Sequence, residues 1–403
     1  MSATGSRPRD PAKGADFGVA ALTTIRILSF WLVLLAAVSY GYFVYNLVLD
    51  SLQGGHSWKQ GDWLINSING PVRRSLTGDV TIWLADAFTL DPVRVVVISQ
   101  VLLVAVLYAL LLRLIFTSRD KLALIILAMS PAFFMTFWSA DPLGAARKEM
   151  FTFVGLLVFA LGMRRGGIKL SVLGCAIFVL SVIIHEAMIV FTPILWGIWF
   201  LSRSSGESER LLTVILAITS ALSVFAFMAA LGKGQVDDFM SVCEPLLERG
   251  VKEHMCHGSI RWLEFDLSYV MDFVASRTTA FKVFLLVLTY ILCLLPGFYV
   301  VYLSDRRWLS VALTIGPFFF ILPLFFIAVD HGRWISFHIF SSLLLYGVAL
   351  AHARIRIVRD HNALVLVTLI GLSLLFAPTH IRDVYWGGVI MRAVEEFAPH
   401  WVS

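Results

Sequence analysis

Apolar residues in this chain come in long runs, each closed by a short polar interruption, and most runs approach membrane-crossing length. The first extends over Ile27–Leu49. Others follow at Val95–Ile115, Leu122–Trp138, Pro142–Met163, Leu170–Ile184, Ala187–Leu201, Leu211–Leu231, Phe281–Leu303, Trp308–Ala328, Trp334–Ala351 and Leu364–Ala377. Each holds roughly 15 to 23 residues, against about 20 that a helix needs to span the hydrocarbon. The pattern predicts an all-α fold, a polytopic transmembrane bundle over residues 27–378 with about eleven spans. Residues 1–26 form a cytoplasmic tail in this reading, 50–94 and 232–280 two long outer loops, and 379–403 an extracytoplasmic C-terminal segment.

One apolar region, 170–201, is too long for a single crossing, because a helix over it would run about 50 Å. His185-Glu186 interrupts it. Two short helices meeting at that pair fit better, with the junction in a protein-lined cavity, since irregular backbone is not tolerated against lipid.

Composition agrees with a membrane class: 59% of the 403 residues are hydrophobic, 15% are charged, and the mean hydropathy is +0.83. The net charge of +5 comes from Lys and Arg scattered through short loops, not from a basic stripe, which argues against a nucleic-acid partner. The start of the chain, Met1–Ala15, is polar and basic, and no small-residue cleavage site follows the first apolar run, so it reads as a tail and not a cleavable signal. Short basic loops around Arg113–Lys121, Arg164–Lys169, Arg306-Arg307 and Arg354–Arg359 share the side of that tail, which the positive-inside rule assigns to the cytoplasm. Cys243 and Cys256 share one outer loop and are candidates for a disulfide.

With that orientation, the polar clusters that membrane solvation does not explain fall on the outer face, while the middles of the spans hold no Asp, Glu, Lys or Arg. Proton- and ion-coupled transporters ordinarily need such groups near the midplane, so the distribution favours a reaction at the outer surface. In the first outer loop, Asp62 and Asp79 flank Arg73-Arg74. Paired guanidiniums suit phosphate oxygens, and either carboxylate could accept a proton; contact with anionic lipid headgroups is the bland alternative.

Asp141 before Pro142 predicts a helix start, placing Arg147 and Lys148 at headgroup depth, to grip a lipid-borne phosphate or simply to anchor, with Glu149 neutralising Lys148 locally. His185 beside Glu186 could work as a general base, or be a hydrogen-bonded structural histidine. The knot Asp330-His331-Gly332-Arg333 opens a span, with Asp330 expected to cap it and Asp330 and Arg333 on one face; His338, deeper in, reads as a buried hydrogen-bonding residue.

No P-loop, dinucleotide turn, zinc spacing or serine-nucleophile elbow occurs, so no cofactor or metal ligand set is assigned, with a divalent metal left open. Energy for a synthesis outside the cytoplasm would have to arrive on an activated lipid carrier. Taken together, Asp62 and Arg73-Arg74 in the first outer loop, Arg147 near the start of a span, His185 at the end of a short one and Arg333 at the start of another resemble the bacterial polysaccharide polymerases of the Wzy and EpsG type. More distantly they are similar to GT-C membrane glycosyltransferases, although the chain lacks a large soluble C-terminal domain and an Asp-x-Asp pair.

The resemblance implies an inner-membrane glycosyltransferase that takes polyprenyl-linked saccharides, with an outer-loop carboxylate as base and arginines on the phosphates. Membrane lipids and other polysaccharide-assembly proteins are the further partners it implies. A flippase for lipid-linked sugars and a non-catalytic assembly subunit are the alternatives.

Overall fold

A computed structural model describes residues 11–203, 207–380 and 388–397. Among the described residues the fold is all-helical, and the one β-type pairing is an isolated bridge between Ser304 and Ile357. Six helices are long and apolar enough to cross a membrane: Thr23–Gln53, Pro92–Phe116, Glu209–Gly232, Ala280–Leu303, Arg307–Ile327 and His331–Ala351. The protein is a multi-pass membrane protein. The expected tail departs from the reading above, because the first helix already begins at Pro11, a proline start followed by an alanine-rich stretch of good helix formers. Residues 1–10, with Arg7 and Arg9, lie outside the described residues, as do Arg382 and Asp383.

His331–Ala351 is the axis of the bundle. Of its apolar window 94% is buried, against 22% to 44% for the other five. It packs on Arg307–Ile321, Thr192–Ser202, Met150–Arg165 and Lys121–Ala128. Phe153 links two of these elements, with its ring 4.3 Å from Phe340 and 5.0 Å from Phe337, and Phe134 joins at 5.9 Å from Phe340. Rings this close fill the interior at the density of a solid.

The run expected as one span over Leu122–Trp138 is divided into Lys121–Ala128 and Phe134–Ala140. Pro131 is the cause: it lacks an N–H and disfavours the helical conformation of the residue before it. The buried break is satisfied from within the protein, since the Ser130 hydroxyl donates to the Cys293 carbonyl at 2.7 Å. Helices Met150–Arg165 and Ile168–Ile184 form a close hairpin in which a Cβ on Gly174 would stand 2.4 Å from the Phe159 nitrogen, so glycine is required there.

The basic loops gather at one end of the bundle. Arg164 donates to the carbonyls of Leu114 and Thr117 at 2.7 and 2.9 Å, and Arg354 to those of Leu201 and Arg203 at 3.0 and 2.8 Å, each satisfying helix C-terminal carbonyls. At the other end, residues 233–279 fold over residues 50–94. Cys243 and Cys256 are disulfide-bonded with Cα atoms 5.8 Å apart, and Asn66 donates to the Val242 carbonyl at 2.8 Å.

Candidate functional site

A cavity of about 730 Å³ opens at the end of the bundle where His331–Ala351 begins, beneath residues 50–94 and 233–279. Its polar floor brings together Asp62, Arg73, Arg74, Arg147, Glu149, His185, Glu186, Asp330, His331 and Arg333. Its side wall is apolar, made by Phe227 and Leu231 of Glu207–Gly232, Val270 and Phe273 of Leu267–Arg277, and Val283 and Leu286 of Ala280–Leu303.

The segment after Asp141 is the hinge of the site, and it is not the helix that Asp141-Pro142 predicts. Pro142–Gly144 makes one 3₁₀ turn, Ala145 is extended, Ala146 is left-handed at φ 64°, and the helix starts only at Met150. Asp141 caps only that short turn, its Oδ1 accepting the Gly144 N–H at 3.4 Å, while its Oδ2 takes the His380 backbone N–H and Nδ1, both at 2.7 Å. A non-glycine residue in the left-handed region costs of order 1–3 kcal/mol and persists where its surroundings over-determine it. Here the Ala146 carbonyl accepts from Trp63 Nε1 at 2.9 Å and from Gln100 Nε2 at 2.8 Å.

Released from a helix, the next three side chains point three ways. Arg147 donates from Nη1 to the Trp58 carbonyl at 2.6 Å, reaches Ser259 Oγ at 3.4 Å and lies 5.9 Å from the centre of the Trp58 ring. Lys148 turns under the floor, donating to the Arg74 carbonyl at 2.8 Å with Asp62 at 4.0 Å. Glu149 pairs with Arg333, whose other nitrogen holds Asp330. The local Lys148–Glu149 neutralisation expected from sequence does not form.

Other expectations are corrected by the same contacts. Lys148 is fully buried and off the cavity wall, so it supports the floor and does not grip a ligand. Asp79 is off the wall too: its two oxygens take the Ser67 N–H at 2.7 Å and hydroxyl at 2.8 Å, which holds the loop and leaves no base for the cavity. Asp141 stands behind His380, not on the wall. Asp330 caps no N–H with its side chain and binds Arg333 instead.

Glu186 faces the cavity but is spent on arginine. Arg74 holds it bidentately through Nε at 2.9 Å and Nη2 at 2.7 Å, and Arg73 adds a contact at 3.6 Å, so the expected His185–Glu186 dyad is absent. Arg74 is itself left-handed at φ 64°.

The break at His185 is as expected: Ile168–Ile184 ends there, a 3₁₀ turn Glu186–Phe191 follows, then Thr192–Ser202. Burial pushes the His185 imidazole down to about 3, with Arg74 adding to it and Glu186 and Asp62 opposing, so the ring is neutral. Its Nδ1 is buried without a partner. Burial pushes the Asp62 carboxyl up, but Lys148, Arg147 and Arg74 act against it and the group is held below the usual carboxylate range. His331 lies against the Phe325 ring at 5.6 Å, and His338 is fully buried, bonded to the Thr314 carbonyl at 2.6 Å and to the Tyr290 hydroxyl.

Trp58 and Ser259 line the wall without a mark in the sequence, and Glu149 and His380, legible there only as members of polar clusters at the helix ends, join the site. The usable signal is glycine. A Cβ on Gly332 would meet the Thr379 carbonyl at 2.3 Å, and one on Gly144 would meet His380 Cβ at 3.0 Å, so both mark where distant backbone approaches. Among the described residues no group of three or more His, Cys, Asp and Glu side chains is arranged to hold a metal ion. The acidic floor groups are each engaged by a cation. Compared with protein families, with curated proteins and with solved structures, the chain matches none.

Proposed function

We propose that the cavity is the active site of a bacterial inner-membrane glycosyltransferase that transfers sugars from a polyprenyl phosphate or diphosphate carrier, on the extracytoplasmic face, in building a surface polysaccharide. The observation that carries this reading is Arg147. Its guanidinium lines the cavity with a carbonyl, a hydroxyl and an indole as partners and, among the described residues, no carboxylate within 4.0 Å, whereas Arg74 and Arg333 are paired with Glu186, Glu149 and Asp330. A buried guanidinium without a direct ion pair favours an anion at its free nitrogens, and a phosphate leaving group meets it as charge develops in the transition state. The apolar wall beside it suits the carrier's hydrocarbon, which would arrive sideways between Glu207–Gly232 and Ala280–Leu303.

In this reading the chain makes eleven passages, with the arginine-rich ends that cap helix carbonyls in the cytoplasm and the cavity outside. The proton released by the acceptor hydroxyl goes to a basic group on the wall, drawn from Asp62, His185 and His380. The test is binding of undecaprenyl diphosphate to the full-length protein in lipid nanodiscs, together with polymer formation in membranes of the source cell. Arg147→Ala should weaken binding by at least about tenfold, the loss expected for one charge-assisted contact, with thermal stability preserved. Equal binding by the variant overturns the proposal. Movement of lipid-linked sugar across the bilayer with no new glycosidic bond overturns it in favour of a flippase.

A further inference from the structure

The geometry points to His380, presented by Asp141, as the group that takes the proton from the acceptor hydroxyl in this cavity; the assignment rests on the glycosyl-transfer reading above. His380 arrives on the segment that follows Ala363–Leu375, far in sequence from every other wall residue of the first outer loop, and three features bring it there. The Asp141 carboxylate binds it twice through one oxygen, at the backbone N–H and at Nδ1, both at 2.7 Å. Gly332 gives way to the backbone just before it, since any Cβ there would stand 2.3 Å from the Thr379 carbonyl. Gly144 gives way to its side chain, with a Cβ there 3.0 Å from His380 Cβ. A histidine held only for packing needs none of this. With Nδ1 committed to a carboxylate, Nε2 is the nitrogen offered to a ligand, and the ring forms part of the cavity wall with 11% of its side chain exposed. This is the orienting arrangement that sets the tautomer of a proton-accepting imidazole.

The two rival acceptors are poorer. Asp62 is buried against Lys148 and stabilised as the carboxylate by the cations around it, so it has little tendency to take up a proton. His185 is a buried imidazole beside Arg74 with no carboxylate hydrogen-bonded to its ring among the described residues, because Glu186 is bound by the arginines. Asp141 supplies that balance for His380, and it has no other side-chain cation to serve among the described contacts. His380 and Arg147 also line the same cavity. In the step, the acceptor oxygen bonds the anomeric carbon as that carbon's bond to the phosphate oxygen breaks. The hydroxyl proton passes to Nε2, and the electron pair leaves on the phosphate, whose charge Arg147 meets. Asp141 is the positioning residue.

The experiment uses full-length protein in membranes of the source cell carrying its own lipid-linked donor, with undecaprenyl diphosphate binding to the nanodisc-embedded protein as the control for folding and carrier recognition. His380→Gln and His380→Gly should each lower polymer formation by about 100-fold or more, while carrier binding stays within about twofold. Added imidazole should restore at least about tenfold of the His380→Gly loss and nothing of the loss in Asp62→Asn, a rescue that a packing role would not produce. Asp141→Asn should lower the rate with binding intact, and Asp141→Glu should recover part of it. A His380→Gln protein that polymerises at the wild-type rate overturns this assignment and leaves the glycosyl-transfer reading standing, as does a His380→Gly protein that binds carrier but ignores imidazole. A wild-type protein that forms no glycosidic bond overturns both.

Discussion

Glu149 and Arg333, 184 residues apart, form one buried ion pair, and Asp330 takes the other arm of the same guanidinium. The pair ties the start of Met150–Arg165 to the start of His331–Ala351, so the floor of the cavity and the axis of the bundle are one structure. Removing one partner of a buried pair leaves the other charge uncompensated, which costs about 3–5 kcal/mol. Glu149→Met and Arg333→Met should each lower the melting temperature of the purified protein strongly, and the two replacements together by less than the sum of the two. Additive losses would show that the two side chains do not act as a unit.

Lys148 and Asp62 make a second cycle under the floor. Their charges are 4.0 Å apart, with Lys148 fully buried and Asp62 nearly so. Lys148→Met should destabilise the protein by several kcal/mol through the stranded carboxylate, and Asp62→Asn in the same chain should recover part of that loss. Thermal unfolding of the four proteins reads the coupling directly.

The same lysine makes stability depend on pH. Burial pushes its ammonium from an ordinary 10.5 down to about 8, with Asp62 opposing the shift. Between those two values the unfolded chain holds a proton on Lys148 that the folded chain has already released. The unfolded state therefore binds more protons, and stability rises with pH through that window. The penalty for the charged buried amine is present in full below about 8 and gone once the pH exceeds 10.5. Melting temperatures of the wild type, measured relative to Lys148→Met, should climb between about pH 8 and 10; a constant difference would mean that Lys148 keeps its proton in the fold.

The disulfide between Cys243 and Cys256 clips the segment 233–279 at the mouth of the cavity, and a bridge closing a short loop contributes about 2–4 kcal/mol. Reduction, or Cys243→Ala with Cys256→Ala, should make residues 233–279 the first region cleaved by added trypsin while the membrane helices stay intact. Unchanged cleavage would show that the contacts of Asn66 with Val242 and of Arg249 with Asp86 hold the segment alone.

Much of this architecture is written in local pattern. Apolar runs of near-spanning length announce helices because lipid leaves backbone groups no other partner, and the broken helix at His185 follows from a polar pair inside a run too long for one crossing. The neighbours of Arg73, Arg147, His185 and Arg333 in the cavity were within reach of the same reasoning, since polar groups at helix ends on one side of a membrane have few places to go.

Pairing was not legible. Asp141 before Pro142 looks like the cap of a long helix, yet it caps one 3₁₀ turn and its other carboxylate oxygen meets His380 from the far end of the chain; residues 145–149 lie outside any helix and Arg147, Lys148 and Glu149 find separate partners. Lys148 beside Glu149 looks self-neutralising, yet each finds a better opposite charge across the bundle.

What the chain determined by itself was its solvent and its elements: short-range patterning selects membrane helices because burial of backbone in lipid depends on residues three and four apart. Which charge compensates which, and therefore which arginine is left without a carboxylate partner and which histidine is held by one, was decided only when the helices packed. Electrostatic energy in a buried site depends on distances of a few ångströms between residues that sequence separates by hundreds of positions.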